Sequence, residues 1–386
     1  MRGEHARLIS MKMMGNNPHP GLFQALEPPS WGKEECSADE LAINADSDRQ
    51  LVHQHPKGYV RSGVRISRGD VSGFYDEWES PVAIISDGPY GVNGYPGDPP
   101  RPDGLADWYE PHIAAWSRKA TLLTTLWFWN TEIGWANVHP VLAKYGWEYR
   151  GASVWDKGTA HIAGNVNTGT LRRVPPITEL CVHYTRKATF VVHGKRMSMK
   201  EWLRHEWIRS GLPLYKTNEV CGVTNAATRK YFTQCHLWYF PPAEMFARLS
   251  DYANKFGRPE GRPYFSIGDK RPLTGTEWEN MRAKFRLEHG VTNVWRHPAV
   301  RDSERIKEGS RALHANQKPL RLVEMTVRLC TDPGDLVWEP FGGLCTSAVA
   351  CLRLGRRCEA AEVSPAFYAL AIMRLSGCRG NVSAAC

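Results

Sequence analysis

The feature that most constrains this chain is a rhythm of short apolar runs and amphipathic stretches, broken once by a long polar middle. Val64 to Ser67 is a short strand candidate ending at Gly69-Asp70. Pro81 to Ser86, rich in Val and Ile, is a buried strand candidate ending at Asp87-Gly88-Pro89-Tyr90. Ala106 to Lys119 has helical spacing through Trp108, Ile113 and Trp116. Ala120 to Trp129 reads as a strand, Ala136 to Tyr145 as a helix, and Trp147 to Trp155 and Ile177 to Tyr184 as further strands. Such alternation predicts a parallel sheet covered by helices. Between about Gly194 and Arg296 polar helices, basic residues and aromatics take over, and at His314 the rhythm returns. The pattern predicts one α/β domain with an inserted module, preceded by a mobile tail from Met1 to about Pro56. No internal repeat is evident.

The last part of the chain reads as a strand, a glycine turn, a helix and another strand. Asp335 to Pro340 breaks at Phe341-Gly342-Gly343, a helix spans about Thr346 to Leu354 with Gly355 in the capping place, and Arg357 to Val363 ends at Glu362. Glycines at such a turn let backbone approach a ligand, and an acid about twenty positions on commonly holds ribose hydroxyls. A nucleoside cofactor fits, and so does a plain tight turn; a dinucleotide site lacks its G-x-G-x-x-G fingerprint. Upstream, His314-Ala315-Asn316-Gln317-Lys318-Pro319 precedes a helix with Leu322, Met325, Val327 and Leu329 on its apolar face. Gln317 and Lys318 are there either as solvated capping residues or as contacts to the amino-acid end of a cofactor.

Asp-Gly-Pro-Tyr alone is a common turn signal. Its position at the end of a buried strand gives it a second reading, because ligands bind at the carboxyl ends of parallel strands. An exocyclic base amine is a poor nucleophile, its lone pair being delocalised into the ring. Two acceptors facing its two N–H groups would localise that pair and aim it at a sulfonium methyl. The Asp87 carboxylate and the Gly88 carbonyl are such acceptors. Pro89 fixes the backbone direction, and Tyr90 offers a flat face for a base turned out of the duplex. Positioning and charge stabilisation suffice, since the nitrogen becomes acidic once methylated.

The formal net charge of +9 favours an anionic partner through phosphate neutralisation. The ten cysteines are scattered without a C-x-x-C pair, so inert thiols are expected, with no metal. No run approaches the roughly 20 apolar residues of a membrane span, and the first residues carry no apolar signal core, so a cytoplasmic location is expected.

With these motifs in this order, the chain resembles the amino-group DNA methyltransferases that modify adenine N6 or cytosine N4, in their circularly permuted beta arrangement. Asp87-Gly88-Pro89-Tyr90 is similar to the family's (Asp/Asn/Ser)-Pro-Pro-aromatic motif, and Gly69-Asp70 to an acidic motif near the cofactor's adenine. Asn316-Gln317-Lys318-Pro319 is similar to its Gln-Lys-Pro segment, Glu339-Pro340-Phe341-Gly342-Gly343 to its Asp-Pro-Phe-x-Gly loop, and Glu362 to its ribose-binding acid. Three departures stand out: Gly88 in place of the first proline, Glu339 in place of aspartate, and Cys345 where a second loop glycine is usual. The resemblance implies a Rossmann-like methyltransferase sheet with helices on both faces, made of 61–157 and 309–386, with a tail over 1–60 and a mostly helical recognition insert over 158–308. It implies S-adenosylmethionine as cofactor and double-stranded DNA as substrate, with a cognate restriction endonuclease as a further partner. The Asp at the catalytic motif favours adenine N6 over cytosine N4. A DNA-binding protein that kept a methyltransferase shell, and a nicotinamide oxidoreductase, are the rival classes.

Within the insert, Lys216 to Phe232 is either an ordinary helical hairpin or a helix-turn-helix similar to the repressor type. In the second case Thr224, Asn225, Thr228 and Arg229 would face out toward base edges and Lys230 would suit a phosphate, with Lys216 also counted among the DNA-binding residues. The cluster His236 to Phe240 is read as local core.

Overall fold

The computed structural model describes residues 54–55, 58–95, 97–162, 170–172, 174–259, 261–268, 271–301, 304–308, 311–312 and 316–378. All of these belong to one compact unit, Ile43–Cys386. The expected tail lies outside the described residues up to 53. Its last part, however, contributes strands β1 (Gln54–His55) and β2 (Gly58–Arg61) to the sheet.

The chain continues through β3 (Val64–Arg68), β4 (Ala83–Ser86), α1 (Leu105–Lys119), β5 (Thr125–Asn130), α2 (Glu132–Lys144), β6 (Trp147–Asp156) and β7 (Thr178–Arg186). A hairpin, β8 (Thr189–Val192) and β9 (Lys195–Ser198), leads into α3 (Met199–Arg209), α4 (Lys216–Val220), α5 (Ala226–Tyr231), α6 (Ala243–Phe256) and α7 (Gly275–Glu279). Then follow β10 (Val294–Arg296), the small pair β11 (Lys307–Glu308) and β12 (Arg311–Ala312), α8 (Leu320–Cys330), β13 (Leu336–Glu339), α9 (Thr346–Leu354), β14 (Arg357–Glu362) and α10 (Pro365–Gly377).

The main sheet has the order β1-β2-β3-β14-β13-β4-β5-β7-β6-β10. Strands β3, β14, β13, β4 and β5 are parallel; β7 is antiparallel to both β5 and β6. The last two long strands of the chain thus sit in the middle of the sheet, the permuted α/β arrangement that the resemblance implied. Two strand pairings correct the expected boundary at 158. β7 joins the sheet between β5 and β6, and β10 extends it beside β6. The helices that depart from the α/β rhythm span Met199–Glu279.

Period-2 alternation decides which side chains meet which helices. On β4 and β5, Ile84, Leu126 and Phe128 pack with Leu105, Tyr109, Ile113 and Trp116 of α1 and Val138 and Leu142 of α2. Ile85, Trp127 and Trp129 point the other way, onto Val323 and Val327 of α8, Val349 of α9 and Ala371 of α10. The helical module has its own core, in which Trp278 stacks on Phe246 with ring centroids 4.5 Å apart and an interplanar angle of 4°. Helix ends follow local chemistry. Thr131 accepts from the Gly134 N–H at 3.1 Å to start α2, and Gly355, at φ +69°, closes α9 in the left-handed conformation that glycine adopts without strain. Among the described residues no helix is long and apolar enough to cross a membrane.

Candidate active site

Strand direction gathers the chemistry onto one edge. β3, β14, β13, β4, β5 and β6 all run the same way, so their carboxyl ends share that edge, and antiparallel β7 begins there. Asp70 follows β3, Asp87 follows β4, Lys157 follows β6, Glu179 starts β7, and Glu339 and Glu362 end β13 and β14. A pocket opens at this edge. Its lining includes Asp87, Asn316, Gln317, Lys318, Glu339, Phe341, Gly342 and Gly343.

Asp87 is the polar centre of the pocket. Its Oδ1 accepts from the Tyr90 hydroxyl at 2.9 Å and from Lys318 Nζ at 2.7 Å. Lys318 also reaches Glu179 Oε2 at 3.3 Å, and Lys157 Nζ reaches Glu179 Oε1 at 2.5 Å. The Tyr90 hydroxyl lies 3.3 Å from Glu179 as well. Burial lifts Asp87 above the usual carboxylate range, although 27% of its side chain faces the pocket, and the Lys318 ammonium pulls it back. Burial also opposes the charge of Lys318, but Asp87 and Glu179 outweigh it and push the ammonium up to about 12. Glu179 is held below its ordinary value: burial works against the anion, and Lys318 and Lys157 prevail.

The rest of the motif is rigid. Gly88 is crowded: a Cβ there would come within 2.6 Å of both the Phe341 ring and the Tyr109 hydroxyl. The glycine therefore admits Phe341 rather than loosening the turn. The Pro89 carbonyl accepts from Tyr109 at 3.1 Å and Asn130 at 3.0 Å. Tyr90 is 8% exposed, and Lys318 Nζ lies 5.1 Å from the centre of its ring.

The glycine loop is tied down by acids. Glu362 accepts from Gly343 N at 2.6 Å and from Ser364 N at 2.7 Å, and Gly342 N donates to Ala361 O at 2.8 Å. Glu339, one methylene longer than the aspartate of the motif it resembles, reaches the start of α9. It accepts from Ser347 N at 2.8 Å and Ala348 N at 2.9 Å. Burial raises Glu339 to about 7 against those two N–H groups. Cys345 adopts φ +51° ahead of α9, the strained place where the family pattern has glycine. Phe341 lies against Trp108 at 5.2 Å and His112 at 5.1 Å between centroids.

Other expected site residues take different places. Asp70 is exposed and accepts from Ser72 N at 2.8 Å, capping a short turn. Asn316 is exposed at the pocket. Buried Gln317 donates to Glu304 O at 2.7 Å and accepts from Ile306 N at 3.2 Å, holding a neighbouring segment. In the helical module, Thr224, Asn225, Arg229 and Lys230 are exposed. Thr228 is not outward as expected: its hydroxyl bonds Thr217 at 2.8 Å and its N–H bonds Asn218 at 3.0 Å, locking α5 onto α4. Lys216 pairs with Glu219 at 2.6 Å. Part of the expected core cluster lies open, with Leu237 and Tyr239 each 58% exposed. Among the described residues no group of three His, Cys, Asp or Glu is placed to hold a metal ion.

The pocket lining sets the carboxylates of Asp87 and Glu339 and the Lys318 ammonium among apolar side chains and glycine backbone. Trp129, which lines it, has a buried indole N–H with no partner among the described residues, a donor set for a ligand acceptor. Glu179 and Lys157 were not singled out from sequence. For Glu179 the signal was an acid at the head of the largely apolar strand ELCVHY, and it becomes informative only once β7 is known to run antiparallel; Lys157 carried none.

A DNA adenine methyltransferase of Escherichia coli K12, YhdJ, is 30% identical over 83 residues. That match takes in 22% of this chain and spans 27% of the relative's length. The solved structure of the M1.HpyAVI–SAM complex superposes with TM-score 0.39 at 16% identity, covering 80% of this chain and 98% of the other. The cytosine-N4-specific PvuII DNA methyltransferase gives 0.47 at 12% identity, covering 83% and 88%. The family model for DNA methylases of N6/N4 type matches residues 82–373, from the strand before Asp87 to the last helix. The chain belongs to that DNA methylase family.

Proposed function

We propose that this chain transfers a methyl group from S-adenosylmethionine to the exocyclic amine of a base flipped out of double-stranded DNA, adenine N6 in preference to cytosine N4. One observation carries the proposal: Asp87 and the Phe341–Gly343 loop line the same pocket. A carboxylate thus stands where an amine and a cofactor held by the glycine loop would meet.

S-adenosylmethionine supplies an electrophilic methyl on a sulfonium when bound. Glu362 would hold ribose hydroxyls through the lone pairs it does not give to Gly343 and Ser364, and Asp70 would lie toward the adenine. Glu339, Phe341, Gly342, Gly343, Asn316 and Gln317 complete the proposed cofactor side. Asp87 accepts one N–H of the target amine and the Gly88 carbonyl the other, turning the lone pair out of conjugation. The Asp87 charge steadies the positive charge that develops on nitrogen. Tyr90 holds the carboxylate in place through its hydroxyl. The exposed Thr224, Asn225, Arg229 and Lys230, with Lys216, form the proposed DNA-reading face of the helical module. The preference for adenine rests on the carboxylate at position 87.

The test is methylation of genomic DNA by the purified protein, followed by nucleoside mass spectrometry. N6-methyladenine is the expected product, absent with Asp87→Ala. N4-methylcytosine alone would overturn the base preference, and neither product would overturn the whole proposal.

A further inference from the structure

The methyl-transfer reading accounts for Asp87 but not for the buried charges behind it. Lys318 is 3% exposed, Glu179 10% and Lys157 13% at their side chains, while Asp87 alone of the four charges is 27% open. They form a ladder of alternating sign: Asp87, Lys318, Glu179, Lys157. Glu179 and Lys157 lie outside the pocket lining. Such a row is costly to bury.

Resting on the reading above, we propose that Glu179 is a positioning residue that draws the Lys318 ammonium away from Asp87, so that the Asp87 carboxylate can take the amine of the target base. A lysine ammonium has three hydrogens and no acceptor. Here one hydrogen faces Asp87 at 2.7 Å and another Glu179 at 3.3 Å, the longer contact being the one with slack. When an amine N–H occupies Asp87 Oδ1, the ammonium closes on Glu179. No covalent bond changes, only hydrogen-bond partners. Lys157 fixes the far oxygen of Glu179, so the carboxylate stays aimed at Lys318. Charge counting gives the same role. With Glu179 present the ladder is neutral overall. Without it, a buried cation is left beside the nitrogen that becomes positive during transfer, and Asp87 is spent neutralising lysine.

The groups facing Asp87 are Lys318 from the segment before α8, Glu179 and Cys181 on β7, Tyr109 on α1, and Tyr90 in its own turn. Those facing Glu179 also include Lys157 and His161. From their signs, Glu179→Gln lowers the Asp87 pKa and Lys318→Met raises it.

The test compares wild type, Glu179→Gln, Lys318→Met and the double variant. Three quantities are read: the Asp87 carboxyl titration by 13C NMR, S-adenosylmethionine binding, and single-turnover methyl transfer with both substrates saturating. In Glu179→Gln the titration is expected to move down by about half a unit or more. The transfer rate should fall about tenfold or more, as for loss of one charged interaction, with cofactor affinity within about twofold. The double variant, which removes the pair together and so leaves no uncompensated buried charge, should be faster than Glu179→Gln alone. An unmoved Asp87 titration in Glu179→Gln, or a double variant no faster than that single one, overturns the proposal. A wild type that methylates no DNA would sink the preceding reading instead, and the titration then judges the ladder by itself.

Discussion

Two buried charge clusters in this molecule look alike on a list of contacts and differ in what they leave undone. In the helical module, Glu206 is fully buried and takes Arg209 at 2.8 Å, Arg262, and the Phe265 N–H at 2.9 Å. Both arginines also donate to backbone: Arg209 to Arg262 O and Pro263 O, Arg262 to Ser266 O, while the buried Arg209 Nε has no partner among the described residues. That cluster ties α3 to the 262–266 segment and leaves no carboxylate oxygen of Glu206 open to solvent. At the sheet edge, lysines replace arginines, and one carboxylate still faces a pocket. Planar arginine forks suit fixed geometry, whereas a single ammonium can change partners. Burial of charge therefore does not mark function by itself; an acid left open at the carboxyl ends of parallel strands does.

The sharpest way to break this comparison is to neutralise one carboxylate in each cluster. Asp87→Asn should cut methyl transfer on the order of 10²- to 10³-fold while moving the melting temperature little. Glu206→Gln should do the reverse, costing about 3 kcal/mol of stability by leaving two half-buried guanidinium groups without their buried carboxylate, with a far smaller loss of rate per folded molecule in the cold. Equal effects on rate would erase the distinction. Calorimetry and single-turnover assays on the same samples decide it.

The acid at the foot of the glycine loop gives the next largest effect. Glu339 is raised to about 7 in the folded chain from its ordinary 4.5, so between those values the folded state keeps a proton that the unfolded chain has released. Stability from this group is complete below the lower value and falls as pH rises toward 7, by about 1.4 kcal/mol per unit at most. Glu339→Gln should remove that slope from urea titrations run at pH 5 and pH 7. An unchanged difference between the two pH values would mean the carboxyl titrates normally.

Smaller effects sharpen the picture. Tyr90→Phe removes one hydroxyl donor from Asp87 and keeps the ring, so the transfer rate should drop by about tenfold, the worth of roughly one hydrogen bond to a charged group. A rate unchanged by this substitution would take the hydroxyl out of the site. Replacing Arg229 and Lys230 by alanine should lower the slope of log affinity for DNA against log salt by about 1 per residue, with cofactor binding untouched. A slope that stays put would remove α5 from the DNA face.

How much of this was visible beforehand depends on how local the signal is. The Val/Ile run before Asp87 and the Gly342–Gly343 break are short-range patterns, and the sheet puts both at one edge as strand direction requires. β7 was seen as a strand but not as a sheet member beyond 158, because antiparallel insertion between β5 and β6 is a long-range fact without a local mark. Glu179 inherited that blindness. Thr228 looked outward-facing on a helical wheel, yet α5 has only six residues, Ala226–Tyr231, and a hydroxyl that close to α4 found Thr217 first. Gly88 was legible only as a departure from proline, and the positions of the Phe341 ring and the Tyr109 hydroxyl show why a side chain is excluded.

The seating of β13 and β14 between β3 and β4 has a consequence for biogenesis. Register pairs Cys358 with Val64 and Val337 with Ala83, so the centre of the sheet is completed by strands made well after β3 and β4. Until then the nascent chain carries two apolar strands whose inward edges have no neighbour, the condition under which strands recruit other chains. Closure across nearly the whole polypeptide is also slow, because the loop entropy must be overcome before any central contact forms. Those two edges stay unpaired for as long as β13 and β14 take to be made.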